Sequence, residues 1–332
     1  MTNFTITPAV IFSGVDRVEA GTVEMPPPGP EEIQVQTHFS TVSGGTEAWI
    51  LRNRFTWAPT LYPCVPGYQR AGKIIAIGSA VRKDWSVGDR VMVTVSAWSG
   101  PVAAQSGAHL RIGNTPALQV FPIPEGVATS DASADVVAQV GVNAASRVQA
   151  PEGSWVAVAC DGLIGQFAAQ AARARGFRAV LCGHRADRLE AGLRYSADAI
   201  ANSTEAPLDV SIPRVTGNES VAAVIDTVQG EAVQLEYMPL LESGRGQIVY
   251  SGFSPENTWA DMAILQQRQL TVHFVSGWNA KRMLQTLEMM EEGKIQVAPL
   301  ISHNVSYRQA SEMYRMIREK APPFLGITFD WN

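Results

Sequence analysis

Short apolar runs separated by turn residues occupy the first third of the chain, and they predict β-strands. The runs lie at residues 9–12, 33–42, 72–78 and 89–95. Gly and Pro clusters between them, such as MPPPGPEE at 25–32, favour backbone angles that end a strand. The segment up to about residue 120 is therefore predicted to be rich in β-structure.

From about residue 123 the pattern changes to apolar strands that alternate with helices. The predicted strands cover 155–159, 177–183, 221–228, 246–253 and 270–278, and the predicted helices cover 166–176 and 231–244. Such alternation indicates a parallel sheet covered on both faces. Two amphipathic helices (280–293 and 306–320) and a strand-like GITFDW follow. This tail is too short for a third domain, and we expect it to return to the first one.

Composition indicates a globular protein and excludes several functional classes. The 332 residues suggest two domains, and 46% hydrophobic against 17% charged residues argues against disorder. No apolar run is long enough for a membrane span, and the N-terminus has no basic region ahead of an apolar run, as a secretory signal would. A net charge of −5 without a basic cluster disfavours nucleic-acid binding. Three dispersed cysteines form no disulfide framework. We expect a cytoplasmic protein with neither nucleic-acid nor membrane partners.

A glycine turn joins a predicted strand to a predicted helix in VAVACDGLIGQFAAQ (156–170). Gly162 and Gly165 have the spacing of the second and third glycines of G-x-G-x-x-G, and Cys160 replaces the first. The second glycine lets the backbone approach a pyrophosphate, and the third lets helix and strand pack closely. The N-terminus of the helix supplies N–H groups for phosphate, and Leu163 and Ile164 stand just before it. We predict a dinucleotide site, with an ordinary strand–helix turn as the alternative.

The end of the second strand of this series bears on which dinucleotide is bound. An acidic residue there accepts hydrogen bonds from the adenosine ribose and repels a 2′-phosphate. Gly183 takes that position here, and His184, Arg185 and Arg188 follow it. Because a guanidinium suits a phosphate, we predict NADP(H) as the cofactor. The alternative is a solvated helix start whose arginines are compensated by Asp187.

The order and spacing of further segments resemble the medium-chain dehydrogenase/reductase superfamily, the group of zinc alcohol dehydrogenases and quinone reductases. The segments are GGTE (44–47), VPGYQRAGKIIAIG (65–78), VGDRV (87–91), FPIPEG (121–126), the turn at 160–165 and SGRGQIVYSGF (243–253). The resemblance covers the chain from end to end. It implies an α/β protein with a doubly wound Rossmann domain at 123–278. Residues 1–122 and 279–332 would form a β-rich, GroES-like substrate domain.

The sequence departs from the zinc members of this superfamily at their metal ligands. Those members use a cysteine, and a Gly-His-Glu on the next strand; here the first region reads TVSGGTE (41–47), and Tyr68 and Gln69 stand at the His-Glu positions. Cys64 has no imidazole partner in the sequence, and a catalytic zinc needs about three protein ligands. No four-cysteine lobe occurs near 90–115 either. We predict that the protein uses no metal.

Without a metal, hydroxyl and amide donors must stabilise the oxyanion that develops during hydride transfer. Tyr68 is the first catalytic candidate, because a phenol can polarise an oxygen and donate its proton. Ser43 and Thr46, on what reads as a facing turn, are the next candidates. Glu47 and Gln69 are expected to orient them. The alternative for Tyr68 is a packing residue that fills the space of the absent metal.

The resemblance implies further cofactor and substrate residues. Asn143 takes the family position beside the nicotinamide, and Ser251 and Gly252 end a strand that borders the nicotinamide ribose. An ordinary helix-start amide and an ordinary strand-end turn are the alternatives. Trp57, Tyr62, Gln69 and Trp278 are the candidates for the substrate wall, and they suit a bulky or cyclic substrate. A hydrophobic core or a dimer contact would use the same aromatic residues.

Three functions remain open on the sequence alone. The first is a zinc-independent, NADP(H)-dependent oxidoreductase that interconverts an alcohol and a ketone or aldehyde. The segments SGGTEAWILRNRF and VPGYQ look similar to a metal-ligand-poor branch that includes the bacteriochlorophyllide dehydrogenase type and several sugar or cyclitol dehydrogenase-like proteins. The second is an enone or quinone (C=C) reductase. The third is a non-catalytic NADPH-binding protein. The family also implies a homodimer, with the segment 270–278 pairing edge to edge.

Overall fold

The computed structural model describes residues 4–82, 85–252, 254–255, 260–321 and 323–332. The strands are β1 Thr5–Gly14, β2 Arg17–Met25, β3 Glu32–Thr41, β4 Cys64–Val65, β5 Arg70–Ile77, β6 Arg90–Val93, β7 Ala103–Ala104, β8 Ile112–Pro116, β9 Val120–Pro122, β10 Trp155–Ala159, β11 Arg178–Gly183, β12 Ala199–Asn202, β13 Val221–Asp226, β14 Gln247–Ser251, β15 Thr271–Val275, β16 Ile301–Ser306 and β17 Gly326–Asp330. The helices are α1 Gly44–Leu51, α2 Thr129–Ala132, α3 Asp135–Ala145, α4 Leu163–Ala174, α5 Ala186–Tyr195, α6 Leu208–Thr216, α7 Glu231–Tyr237, α8 Met262–Gln267, α9 Ala280–Glu291 and α10 Ala310–Glu319.

Contacts divide the chain into two compact units. The first comprises Met1–Val136, Met283–Glu291 and Ile301–Asn332, and the second comprises Val137–Arg282 and Glu292–Leu300. The first of these contact units extends to residue 136 because α2 packs on β3 and β5. Residues 292–300 join the second unit, where Gln170 accepts from the Gln296 N–H at 2.8 Å. The functional boundaries 1–122, 123–278 and 279–332 stay a prediction.

The second unit is built on a six-stranded sheet in which every pair of neighbours is parallel. The order is β12-β11-β10-β13-β14-β15, the doubly wound order of a Rossmann domain. All five residues of β10 are buried, as a central strand with both faces covered requires. The predicted parallel α/β architecture is confirmed. Its strand order reverses between β10 and β13, where ligands bind at the carboxyl ends of the strands.

The first unit contains two further sheets, with orders β2-β1-β4-β7 and β16-β17-β3-β5-β6-β9; β8 also pairs with β3. The C-terminal strand β17 pairs antiparallel with β3, Thr328 opposite Thr41, so the tail returns to the β-rich N-terminal part. The first unit contains a core of aromatic and aliphatic side chains, among them Phe12, Tyr314 and Trp331.

Three elements differ from their predictions. The segment 43–47, expected as a turn, contains the start of helix α1. Helix α7 ends at Tyr237 rather than 244, because Pro239 in the following 3-10 turn has no N–H to donate. The strand predicted at 246–253 is β14, which ends at Ser251, and Phe253 lies outside the described residues. Among the described helices, none has the length and apolar character that a membrane span requires.

Candidate active site and cofactor site

The predicted catalytic hydroxyls come together where α1 begins and just before β5. The phenol of Tyr68 hydrogen-bonds to the side chains of Ser43 and Thr46. We call these three residues the hydroxyl cluster. Burial, together with the nearby negative charge of Glu47, raises the pKa of Tyr68 to about 12. The phenol is therefore protonated at neutral pH and is able to donate to a substrate oxygen.

Glu47, predicted to orient these groups, is a fully buried carboxylate on α1. Its Oε1 accepts the backbone N–H of Ser43 at 2.8 Å, and its Oε2 accepts the Tyr314 hydroxyl from α10. His109 Nε2 lies 2.9 Å from the same Oε2. Glu47 thus fixes the backbone that carries Ser43, and it anchors that backbone to the C-terminal part of the first unit.

His109 extends this arrangement into a chain of buried hydrogen bonds. Its Nδ1 lies 2.8 Å from Ser40 Oγ, which accepts from Trp331 Nε1 at 2.9 Å. Both ring nitrogens of His109 therefore have a buried partner, Ser40 at Nδ1 and Glu47 at Nε2. His109 itself lies in a bend between β7 and β8. Ser40, Tyr314 and Trp331 were not singled out, since no local spacing relates them to Glu47.

The positions of the expected metal ligands do not fit zinc. Ser43 and Tyr68 offer hydroxyls, and the fully buried Gln69 donates from its amide to the Thr41 carbonyl at 3.1 Å. Zinc sites use thiolate, imidazole or carboxylate ligands. Burial raises the pKa of the Cys64 thiol to about 12, which disfavours the thiolate. Within the described ranges, no group of three or more His, Cys, Asp or Glu side chains is arranged to hold a metal ion.

The residues predicted for the substrate wall come from both units. Tyr62 donates its hydroxyl to the carbonyls of Ile50 (3.1 Å) and Leu51 (2.7 Å), closing the C-terminal end of α1. Trp57 is 63% exposed and packs at a tilt on Phe55. Trp278 belongs to the second unit, whereas Trp57, Tyr62 and Gln69 belong to the first. The substrate role of these four residues stays a prediction. The Tyr62 hydroxyl and the Gln69 amide already donate hydrogen bonds to backbone carbonyls.

The glycine turn lies at the carboxyl end of β10, next to the switch point of the sheet. A Cβ at Gly165 would lie 2.1 Å from the Cys160 carbonyl oxygen, so only glycine allows α4 to pack this closely on the turn. Gly162 precedes α4 without a side-chain cap, which leaves first-turn N–H groups at Leu163 and Ile164 for an anion. These residues fit the pyrophosphate of a dinucleotide.

The end of β11 carries a feature that the sequence did not reveal. The Asp161 carboxylate, from the glycine turn, accepts the N–H groups of His184 (2.9 Å) and Arg185 (3.0 Å). Arg188 Nη1 lies 3.3 Å from its other oxygen, and Arg185 Nε lies 3.4 Å from Asp187. The two arginines predicted to hold a 2′-phosphate thus each contact a carboxylate.

The remaining predicted cofactor residues lie on α3 and at the end of β14. Asn143 is buried, and its side-chain oxygen accepts from Arg147 at 3.4 Å. Gly252 has a φ of +96°, which favours glycine. The buried Ser251 Oγ has no hydrogen-bond partner in the described part of the chain. An unsatisfied hydroxyl at the carboxyl end of a strand fits a site that a cofactor completes.

Two parts of the chain match known protein families. The alcohol dehydrogenase GroES-like domain matches residues 29–125, and the zinc-binding dehydrogenase family matches residues 164–292. A 2-desacetyl-2-hydroxyethyl bacteriochlorophyllide A dehydrogenase of Cereibacter sphaeroides is 24% identical over 338 residues, covering 98% of each chain.

Solved structures share the whole architecture. A protein of Sinorhizobium meliloti described as a zinc-binding dehydrogenase, bound to NADP, has a TM-score of 0.83 at 20% identity and covers 98% of this chain and 99% of its own. An Escherichia coli alcohol dehydrogenase complexed with NADH has a TM-score of 0.84 at 20% identity, covering 98% and 100%.

A GroES-like family match in the N-terminal part and a dehydrogenase family match over most of the Rossmann-type sheet define the class of protein. The chain belongs to the medium-chain dehydrogenase/reductase superfamily, and the relatives that it matches are oxidoreductases.

Proposed function

We propose that the protein is a zinc-independent oxidoreductase that interconverts an alcohol and a ketone or aldehyde with a nicotinamide dinucleotide. The observation that supports this proposal is the hydroxyl cluster: Tyr68, at the position that the resemblance assigns to a metal ligand of the zinc members, is a phenol that its surroundings keep protonated. The bound nicotinamide would supply or accept the hydride. The protein's task is then to bind the carbonyl oxygen and supply its proton.

Tyr68 performs the proton step in this proposal. As negative charge develops on the carbonyl oxygen, the phenol donates a hydrogen bond and then its proton, while Ser43 and Thr46 hold the phenol oxygen in place. Glu47 contributes by position: its bond to the Ser43 N–H fixes the first turn of α1. Its negative charge also helps to keep the proton on Tyr68 at neutral pH.

The choice between the two dinucleotides has support on both sides. Arg185 and Arg188 at the end of β11 support NADP(H), as the sequence predicts. Their contacts with Asp187 and Asp161 oppose it, because a phosphate would have to displace a carboxylate. Asn143, Ser251 and Gly252 would border the nicotinamide end of either cofactor.

Several finer features belong to the same proposal. The aromatic side chains of Trp57, Tyr62 and Trp278 suit a bulky or cyclic substrate. The bacteriochlorophyllide dehydrogenase relative, whose name gives a large ring system as substrate, supports this. A cytoplasmic homodimer is the expected state. In favour of the dimer, Phe274 is 79% exposed on β15, which is the last strand in the order of its sheet.

An enone or quinone reductase is the second candidate function. The same hydroxyl cluster supports it, because a phenol that only polarises a carbonyl suffices when hydride goes to the β-carbon. A non-catalytic dinucleotide-binding protein would show binding without turnover.

The deciding experiment follows NADH and NADPH oxidation by metal-stripped protein with matched ketones and enones, including bulky cyclic ones, and identifies products by mass and chirality. Alcohols formed from ketones support the proposal. Saturated ketones formed only from enones support the second candidate. Activity that disappears on stripping and returns with zinc would contradict the proposed role of the hydroxyl cluster.

A further inference from the structure

The Asp161 side chain fills the space in which a side chain at position 183 would begin. A Cβ built on Gly183 would lie 2.4 Å from Asp161 Oδ2, 2.5 Å from its Cβ and 2.7 Å from its Cγ. The two residues meet because β10 and β11 are parallel neighbours, with Ala159 opposite Cys182, so the turn after β10 passes the end of β11. The Asp161 residue is only 4% exposed. Position 183 is therefore glycine because a carboxylate from another turn already occupies the place of its side chain.

Three donors hold this carboxylate at the end of β11. The backbone N–H groups of His184 and Arg185 both donate to Oδ2, at 2.9 and 3.0 Å. The Arg188 guanidinium, whose side chain is 15% exposed, donates to Oδ1 at 3.3 Å. Together they form an anion-binding set, and an internal anion satisfies it.

In Rossmann domains an acidic side chain at the end of the second strand accepts hydrogen bonds from the adenosine ribose and repels a 2′-phosphate. We propose that Asp161 takes over this role from the glycine turn, and that it makes NAD(H) the preferred cofactor of this protein. The inference rests on the proposed function only in that the protein must bind a nicotinamide dinucleotide. It names the residue that chooses between the two forms.

This assignment opposes the NADP(H) preference that Arg185 and Arg188 predict. A 2′-phosphate entering here would meet the Asp161 charge and would need donors that Asp161 holds. Displacing a buried carboxylate from two N–H groups and a guanidinium leaves a charge without partners, which is costly. Without that carboxylate, the same three donors would suit a phosphate.

The test measures dissociation constants of NADH and NADPH by the change in nicotinamide fluorescence, so it needs neither a substrate nor turnover. Wild type is compared with Asp161→Asn and with Asp198→Asn as the matched control. Asp198 also accepts a backbone N–H (Ala179, 2.8 Å) and pairs with an arginine (Arg173), so it removes the same charge elsewhere in the second unit. Wild type should bind NADH more tightly than NADPH. Asp161→Asn should shift the ratio of the two constants toward NADPH by about tenfold or more, and Asp198→Asn should leave it unchanged.

A second variant moves the carboxylate rather than removing it. Asp161→Gly combined with Gly183→Asp places the acid at the strand end and also removes the Asp161 Cβ that a side chain at position 183 would meet, and the preference for NADH should return relative to Asp161→Gly alone. Circular dichroism confirms that each variant is folded. Tighter binding of NADPH than NADH by wild type, or a ratio unchanged in Asp161→Asn, would overturn the inference and leave the proposed function standing. Failure of wild type to bind either dinucleotide would instead overturn the proposed function, and this inference with it.

Discussion

At the scale of single residues, Tyr68 is the group whose removal should be most informative. Tyr68→Phe keeps the ring and deletes the hydroxyl that bonds to Ser43 and Thr46. Because a positioned general acid contributes about 100-fold or more to the rate, we expect kcat for carbonyl reduction to fall by about that factor. The dissociation constant of the cofactor should not change. Steady-state kinetics with fluorescence titration measures both quantities.

The control for this prediction is Tyr195→Phe, which removes the same atom from an exposed position on α5. Its kcat should equal that of wild type. Full turnover in Tyr68→Phe would show that the phenol only fills space, the alternative that the sequence left open.

The sequence predicted the members of the hydroxyl cluster but not the residues that support them. Ser43, Thr46 and Glu47 are close in the chain, and Tyr68 stands at a recognisable family position. Glu47 is held by His109 and by Tyr314, which is 267 residues away in the chain. Asp161 was missed for a similar reason: its partners lie on the next parallel strand, and only the sheet brings them together. Local spacing carries no signal for such pairs.

At the scale of elements, the two glycines of the turn between β10 and α4 should have separable roles. Gly165→Ala would place its Cβ 2.1 Å from a backbone oxygen, so α4 must move from the sheet. We expect this variant to lose about 1–3 kcal/mol of unfolding free energy, as overpacked sites do. At Gly162 the nearest atom to a new Cβ is Cys160 Sγ at 3.4 Å, an ordinary contact. Gly162→Ala should keep its stability and bind the dinucleotide more weakly, because the backbone must approach the pyrophosphate.

Urea unfolding and cofactor titration of both variants distinguish these roles. A Gly165→Ala protein as stable as wild type would contradict the close packing of α4. A Gly162→Ala protein with unchanged affinity for both dinucleotides would remove Gly162 from the cofactor site.

The sequence predicted strands well where both of their faces are buried. It predicted elements poorly where side-chain hydrogen bonds to the backbone determine the local conformation. Strands such as β10 and β11 were predicted to within a residue because both faces are buried. Helix α1 begins within the predicted turn at 43–47, although Gly44 and Gly45 are poor helix formers. It forms because Glu47 bonds the N–H of Ser43 at 2.8 Å while its own N–H donates to the Ser43 carbonyl at 2.9 Å. Strand β2 was missed because most of its residues are exposed, which weakens the apolar signal.

At the scale of the whole molecule, the order of motifs along the chain was more informative than any one of them. The glycine turn alone was compatible with an ordinary strand–helix connection, and its first glycine is missing. The parallel order of the six-stranded sheet and the return of β17 to β3 confirm the architecture that the motifs imply together. The boundaries of the two contact units are harder to predict from the sequence. They depend on contacts between residues far apart in the chain, such as those of α2 with β3 and of residues 292–300 with Gln170.

Each unit also buries a thiol, and this makes the stability of the whole molecule sensitive to alkaline pH. Cys64 in the first unit and Cys182 in the second are 0% and 2% exposed, and burial raises the pKa of each to about 12 from the ordinary 9.0. Above pH 9 the unfolded chain loses these protons while the folded protein keeps them, so unfolding becomes progressively more favourable until the pH approaches 12. Each thiol should cost about 1.4 kcal/mol per pH unit in that window.

The double variant Cys64→Ala/Cys182→Ala isolates this effect. It should be less stable than wild type at pH 8, because each substitution removes a buried sulfur from a packed core. Between pH 8 and pH 10, however, it should lose about 3 kcal/mol less unfolding free energy than wild type, since two titrating groups are gone. Urea unfolding at the two pH values measures the difference, and each single variant should show about half of it. Equal losses in wild type and the double variant would mean that these thiols ionise in the folded protein as readily as in the unfolded chain, which their burial in both cores opposes.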